Sequence, residues 1–414
     1  MSRATLILSC LGAGLLAGVG VATLSPQVAG WGIGVAGPVG TLWLNGLQMT
    51  VIPLVVTLLI TGVATTAEAA QAGRIAGRAI ATFLGLVTLT ATMAALVTPM
   101  LLHIVPIPRG AAAALKTALG HAAPVGPTPP ISEFLTGIVP TNIFAAATNN
   151  ALLSLILFTL AFAFAMTRIE HTGRVQLLGF FTAIRDAMLV LIGWVLWLAP
   201  IGVFALAFVV GASAGGAAFG ALVHYIVTIA SIGVIVMLMA YAVALVAGRV
   251  SLSRFARALA PAQAVAISTQ SSLASLPAMV EGTRTLRVAP ATASLVLPMA
   301  VAMFRATQPA MNVAVALYIA DWFGIVPGPV AVVAAIVAAI LCSLGSASLP
   351  SQITFFASIA PVCVALGVPA APLGLLIAVE TIPDIFRTLG NVSMDLAATA
   401  TVSRWSGTID EERP

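Results

Sequence analysis

The sequence predicts an all-α integral membrane protein with eight transmembrane helices and two re-entrant helical hairpins, and three observations carry that expectation. The first is composition: of 414 residues, 60% are hydrophobic and 7% charged, with a mean hydropathy of +1.13. A soluble domain carries roughly 25% charged residues, so this chain could not cover its own surface in water. The second is segmentation into apolar blocks that reach the about 20 residues a spanning helix needs. The third is the one-sided distribution of arginines between those blocks. The same composition excludes a disordered chain. The net charge of +5 comes from scattered arginines without a basic stripe, which excludes a nucleic-acid partner.

Eight apolar blocks, at 4–24, 39–67, 75–104, 138–167, 176–212, 217–247, 289–320 and 371–403, read as full spans. The first follows Met1-Ser2-Arg3 and runs for ~20 residues, longer than the about 7–15 of a secretory signal core, so an uncleaved span is expected. Two further blocks, 253–284 and 329–367, are interrupted by Ser-rich, Pro-containing stretches. Unwound backbone at membrane depth must be buried in protein or line a wet cavity. The interruptions, Ser271-Ser272-Leu273-Ala274-Ser275-Leu276-Pro277 and Ser343-Leu344-Gly345-Ser346-Ala347-Ser348-Leu349-Pro350, share Ala-Ser-Leu-Pro. Paired broken segments point to a transporter's substrate site; two kinks in ordinary helices are the alternative.

The basic residues favour hairpins. Thirteen of the seventeen, from Arg3 to Arg413, share one side if both broken blocks enter and leave by the same face. Only Arg109 and Lys116 lie opposite, while Arg305 and Arg387 stay inside spans. The positive-inside rule then puts both termini in the cytoplasm of a multi-pass protein of the cell's inner (plasma) membrane. Cys10, Cys342 and Cys363 show no Cys-x-x-Cys spacing, and the four histidines form no pair on one helix turn. Neither a disulfide framework nor a metal site is indicated.

Ionisable groups at membrane depth cost several kcal/mol and mark substrate or ion paths. The last block holds Glu380, Asp384, Arg387 and Asp395. At 100° per residue these and Asn391 point within roughly 80° of one another, one polar face along one helix. A self-satisfied Asp384–Arg387 pair is the plain structural reading, but it has no use for Thr388, Asn391 and Asp395 on the same face. A guanidinium holds a carboxylate bidentately, Asn391 can donate to a second carboxylate and Asp384 can accept from an ammonium. Those groups match the outline of an acidic amino acid.

With these residues in view, the chain resembles the dicarboxylate/amino acid:cation symporter family, the glutamate transporters and their bacterial relatives, over nearly its whole length. Leu42 to Thr65, containing Val51-Ile52-Pro53-Leu54-Val55, resembles the family's second span, and Ala72-Gly73-Arg74 the entry to its third. Pro140-Thr141-Asn142-Ile143-Phe144 resembles its Pro-Ser-Asn-Ile-Phe. The most specific matches are the Ser-rich tip with Leu276-Pro277 and Asp384-x-x-Arg387-Thr388-x-x-Asn391-x-x-x-Asp395. The resemblance implies a homotrimer in which a static scaffold (1–70 and 138–212) supports a moving transport domain (71–104 and 213–404) that works as an elevator. An extracellular loop (105–137) and a cytoplasmic tail (405–414) complete it. It also implies a substrate site of Ser271, Ser272, Gln308, Leu349, Pro350, Asp384, Arg387, Thr388 and Asn391. Asp384 would take the substrate ammonium and Arg387 its side-chain carboxylate. Asn391 and Asp395 would hold sodium if sodium binds.

Three departures stand out, two of them bearing on the ion. Where the family's seventh span unwinds at Asn-Met-Asp-Gly-Thr, this chain reads Phe304-Arg305-Ala306-Thr307-Gln308, and the third span's Tyr, Thr and Ser become Phe83, Leu86 and Val87. A hard cation needs the oxygens lost there. The second tip loses its glycines, leaving Ala347-Ser348-Leu349-Pro350-Ser351-Gln352-Ile353, which stiffens the gate. The expected protein is therefore a non-enzymatic, cofactor-free secondary transporter of aspartate, glutamate or a four-carbon dicarboxylate. Sodium coupling is lost or altered in favour of protons or exchange, with Arg305, Glu380 and Asp395 carrying the charge. A transport-inactive solute sensor on the same fold is the rival reading. An intramembrane hydrolase using a hairpin serine lacks a histidine base, since none follows His224.

Overall fold

The computed structural model describes residues 3–50, 52–53, 56–57, 59–64, 73–107, 139, 141–148, 152–215, 217–345 and 351–408. Helix is the regular structure throughout, with no strand among the described residues. Five stretches there are long and apolar enough to cross a membrane: Leu6–Leu24, Arg74–Ile104, His171–Trp197, Phe219–Val246 and Pro290–Phe323. Shorter apolar helices accompany them at Ala199–Ser213, Pro329–Ser343 and Phe355–Leu366.

The N-terminal part is built on small residues. Lipid tails give helices no hydrophobic reason to associate, so they need close backbone approach. Helix α1 (Arg3–Leu24) supplies Gly14 and Gly18, four residues apart on one face. A Cβ at either would fall on the Phe204 or Phe208 carbonyl, and one at Gly211 would fall on the Leu15 carbonyl. These contacts seat α1 on Ala199–Ala214, which also packs against α2 (Pro26–Gln48). Trp43 of α2 donates its indole N–H to the Val195 carbonyl at 2.9 Å.

Several block boundaries are corrected. The 39–67 block begins inside α2, which starts at Pro26 and closes at Gln48; a turn follows at Met49–Thr50, and residues 52–53 are helical. Arg74–Ile104 is α3. The 138–167 block divides into α4 (Ile143–Thr148) and α5 (Leu152–Met166), with Asn142 Oδ1 accepting the Phe144 and Ala145 N–H groups. The 176–212 block divides at Leu198 into α6 (His171–Trp197) and α7 (Ala199–Ala214). The reason is Pro200, which lacks the N–H a continuing helix needs but fits a helix's first turn.

In the C-terminal part, α8 (Ala217–Val246) leads into a hairpin of α9 (Leu252–Thr269) and α10 (Ser272–Thr285), packed against each other. The turn is made by Gln270 in the left-handed region (φ 51°) and by Ser271, whose hydroxyl accepts the Ala274 N–H at 3.2 Å. The break therefore sits at the leading edge of the Ser-rich stretch, and Pro277 is carried inside α10. The 289–320 block is two helices, α11 (Pro290–Met303) and α12 (Thr307–Phe323), parted at Phe304–Ala306. α13 (Pro329–Gly345) and α14 (Ser351–Leu366) pack side by side; the tip residues Leu349 and Pro350 lie outside the described residues. The last block opens with the short α15 (Leu373–Leu376) before α16 (Thr381–Trp405). α16 is the axis of this part, with α3, α8, α9, α10, α11 and α12 all packed against it.

Candidate substrate site

The site forms where α16 meets the break between α11 and α12. Gly390 makes the meeting possible, since a Cβ there would strike Thr307 Oγ1. At that close approach the Thr307 N–H, one of the unsatisfied donors at the start of α12, donates to Asn391 Oδ1 at 2.9 Å. On the far side, α3 supports the break: Thr90 Oγ1 donates to the Ala306 carbonyl at 2.7 Å. Gly233 of α8 performs the same service opposite Phe386, where a side chain would collide.

Arg387 is 5% exposed, and Glu380 and Asp384 are 1% and 3%. The guanidinium is ion-paired to both: Nη1 donates to Asp384 Oδ1 at 3.1 Å, one turn back, and Nη2 pairs with Glu380 Oε1, two turns back. Glu380 is held in turn by Tyr225 of α8, whose hydroxyl donates to Oε2 at 3.0 Å. Thr388 donates to the Asp384 carbonyl at 2.9 Å. Several buried polar atoms here have no hydrogen-bond partner among the described residues: Arg387 Nε, Asp384 Oδ2, Thr307 Oγ1 and both oxygens of Asp395. Such atoms are costly unless something completes them.

Of the polar face read from the sequence, Glu380, Asp384, Arg387 and Thr388 are joined by ion pairs and hydrogen bonds, while Asn391 is bonded separately to the Thr307 N–H. Gln308 is buried next to Thr307 at the start of α12. Arg305 lies in the break, half-buried, within electrostatic reach of Asp384, Arg387 and Asp395. Asp395 is fully buried and feels Arg305 through space, not through a hydrogen bond. Ser271 and Ser272 lie at the hairpin turn and make no hydrogen bond to the cluster among the described residues. Sequence reasoning missed Tyr225, Thr307 and Thr90. Tyr225 left a signal, being one of only three tyrosines in the chain and set within an apolar run.

The segments that depart from the family pattern meet face to face. Phe83 of α3 stacks on Phe304 with ring centroids 4.6 Å apart and planes 9° from parallel. Leu86 and Val87 are buried alongside in the core.

In a helical membrane protein, two carboxylates buried against one guanidinium with unsatisfied polar atoms around them mark a functional polar site, of the kind that lines substrate and ion paths. A model of the sodium:dicarboxylate symporter family matches residues 4–405, and the chain belongs to that family. It is a multi-pass membrane protein of a secondary-transport, symporter family. It is 27% identical over 384 residues to the proton/sodium-glutamate symport protein of Bacillus subtilis (strain 168), covering 89% of this chain and 86% of the relative. It is 26% identical over 409 residues to a C4-dicarboxylate transport protein of Rhizobium etli, covering 98% and 89%. Against the proton/glutamate-aspartate symporter of Escherichia coli (strain K12) it is 24% identical over 385 residues, covering 91% and 86%.

The family's description names sodium, and a hard cation takes several oxygens converging on one point. Around the break Asn391 Oδ1 is occupied by the Thr307 N–H, the Ala306 carbonyl by Thr90, and the neighbouring space by the Phe83–Phe304 stack. Among the described residues no group of three or more His, Cys, Asp or Glu could hold a metal ion. The oxygens left open near the break among those residues are those of Thr307 and Asp395.

Proposed function

We propose that the protein moves a small acidic solute across the membrane, aspartate or glutamate ahead of a four-carbon dicarboxylate, without sodium. The observation that carries this is the buried Arg387 held between Glu380 and Asp384, with Arg387 Nε and Asp384 Oδ2 left open. A substrate carboxylate replaces the internal acid on the guanidinium, and its ammonium completes Asp384. Thr388 and Asn391 hold the remaining polar groups, Gln308 adds an amide, and the Ser271–Ser272 and Leu349–Pro350 tips close over the ligand.

Arg305 acts as a tethered cation opposite Asp395, filling the charge role of a bound sodium. Coupling passes to a proton carried by Glu380 or Asp395, or gives way to exchange. The chain forms eight spans and two hairpins with both termini in the cytoplasm, and it assembles as a homotrimer in the plasma membrane. Residues 1–70 and 138–212 make the static scaffold, and 71–104 and 213–404 the domain that travels as an elevator. Competition calorimetry on purified protein tests the substrate: aspartate binds, alanine does not, and succinate binds more weakly. Succinate or malate ranked far above aspartate at neutral pH would reverse the assignment. A protein that binds the solute but never accumulates it in proteoliposomes would be a sensor.

A further inference from the structure

Away from the charged site, a groove of about 530 Å³ runs between α3, α8 and α16. Ala81, Gly85 and Leu89 form one wall, Met239, Ala242 and Val246 the other, and Thr401 and Trp405 of α16 close it. Its two hydroxyls are turned into their own helices: Thr82 donates to the Arg78 carbonyl and Thr401 to the Ala397 carbonyl, each at 2.8 Å. A Cβ at Gly85 would meet nothing within 4 Å, so the space there is open. Apart from those hydroxyls and the Trp405 indole the lining is apolar, which suits hydrocarbon.

The rim is of opposite character. Arg78, one turn before Thr82, donates Nη1 to the Trp405 carbonyl at 2.6 Å. Arg74 is exposed one turn earlier on α3, and Arg249 is exposed just beyond the end of α8. Trp405 is exposed at the mouth, the position where tryptophan marks a membrane–water interface. An apolar slot with guanidinium groups beside one end has the outline of one kind of molecule.

We propose that this groove binds an acyl chain of an anionic phospholipid, with the headgroup phosphate held at the rim by Arg78. Positive charge at the rim selects the anionic headgroup, and the apolar lining selects the chain.

The test is independent of transport. The purified full-length protein is mixed with dioleoyl phosphatidylglycerol, dioleoyl phosphatidylcholine or glycerol 3-phosphate, and retention is read by native mass spectrometry beside thermal unfolding. Phosphatidylglycerol is expected to be retained and to protect more than phosphatidylcholine, and glycerol 3-phosphate to do neither. Arg78→Gln should cut the preference about fivefold, equivalent to about 1 kcal/mol for one arginine near a membrane surface. Gly85→Leu, in open space and with a better helix former, should reduce retention of both lipids. Equal retention of the two lipids, undiminished retention by Gly85→Leu or an unchanged preference in Arg78→Gln would overturn the proposal. So would protection by glycerol 3-phosphate alone, or efficient cross-linking of Gly85→Cys to a second copy.

Discussion

Replacing Arg387 with alanine probes the site most deeply. It strands two carboxylates, Glu380 at 1% and Asp384 at 3% exposure, on one helix with their shared counter-charge gone. Removing one partner of a buried ion pair costs about 3–5 kcal/mol. The substrate separately loses charge-assisted hydrogen bonds of about 1.5–3 kcal/mol each. At 1.4 kcal/mol per tenfold, even one such bond and part of a second lower aspartate affinity by about 100-fold. Calorimetry reads the affinity and thermal unfolding reads the stranded charges. The double change Arg387→Ala with Glu380→Gln keeps the two effects apart: it should recover stability and leave affinity lost. Undiminished aspartate or succinate binding by Arg387→Ala would refute the reasoning. Affinity that returns together with stability in the double variant would show that the arginine only holds α16 in place.

Other expectations follow from the same geometry. Asp384→Asn should weaken aspartate by tenfold or more, a scale of about 1.4 kcal/mol, while sparing succinate, because only the amino acid brings an ammonium; equal losses for both would remove Asp384 from ammonium recognition. Gly390→Ala should destabilise by about 1–3 kcal/mol and lower substrate affinity, since its Cβ meets Thr307 Oγ1 and pushes the Thr307 N–H away from Asn391. Gly85→Ala, in open space, is the control expected to be neutral or stabilising. Aspartate affinity should stay level as sodium is titrated against choline, and an affinity that steepens with sodium would remove Arg305 from its role as tethered cation.

The membrane character, the helical class and the charged face of the last span are legible in the sequence because each follows from a short-range rule. Composition rules out a soluble surface, spacing at 100° per residue aligns Glu380, Asp384, Arg387, Asn391 and Asp395, and Ser-rich interruptions mark the turn at Gln270–Ser271. Helix boundaries inside apolar blocks were less legible. Pro200 lies in the first turn of α7 and Pro26 begins α2, yet Pro38, Pro261 and Pro277 sit inside helices; hydropathy does not distinguish a proline at a helix start from one carried within it. What stayed hidden is long-range. Tyr225 reaches Glu380 across 155 residues and Thr90 reaches Ala306 across 216, and nothing local to Gly390 announces that Thr307 must approach it. The Phe83–Phe304 stack joins two segments whose separate departures from the family pattern were visible, but whose contact was not.

Uptake into proteoliposomes tests the central claim most directly, with radiolabelled aspartate and succinate compared under inward sodium, choline and proton gradients. Aspartate should accumulate with choline outside, and sodium should not raise its uptake. Uptake should respond to an inward proton gradient or to unlabelled aspartate trapped inside, and be lost in Arg387→Ala. Accumulation only when sodium is present outside, or no accumulation of either solute under any gradient, would contradict it.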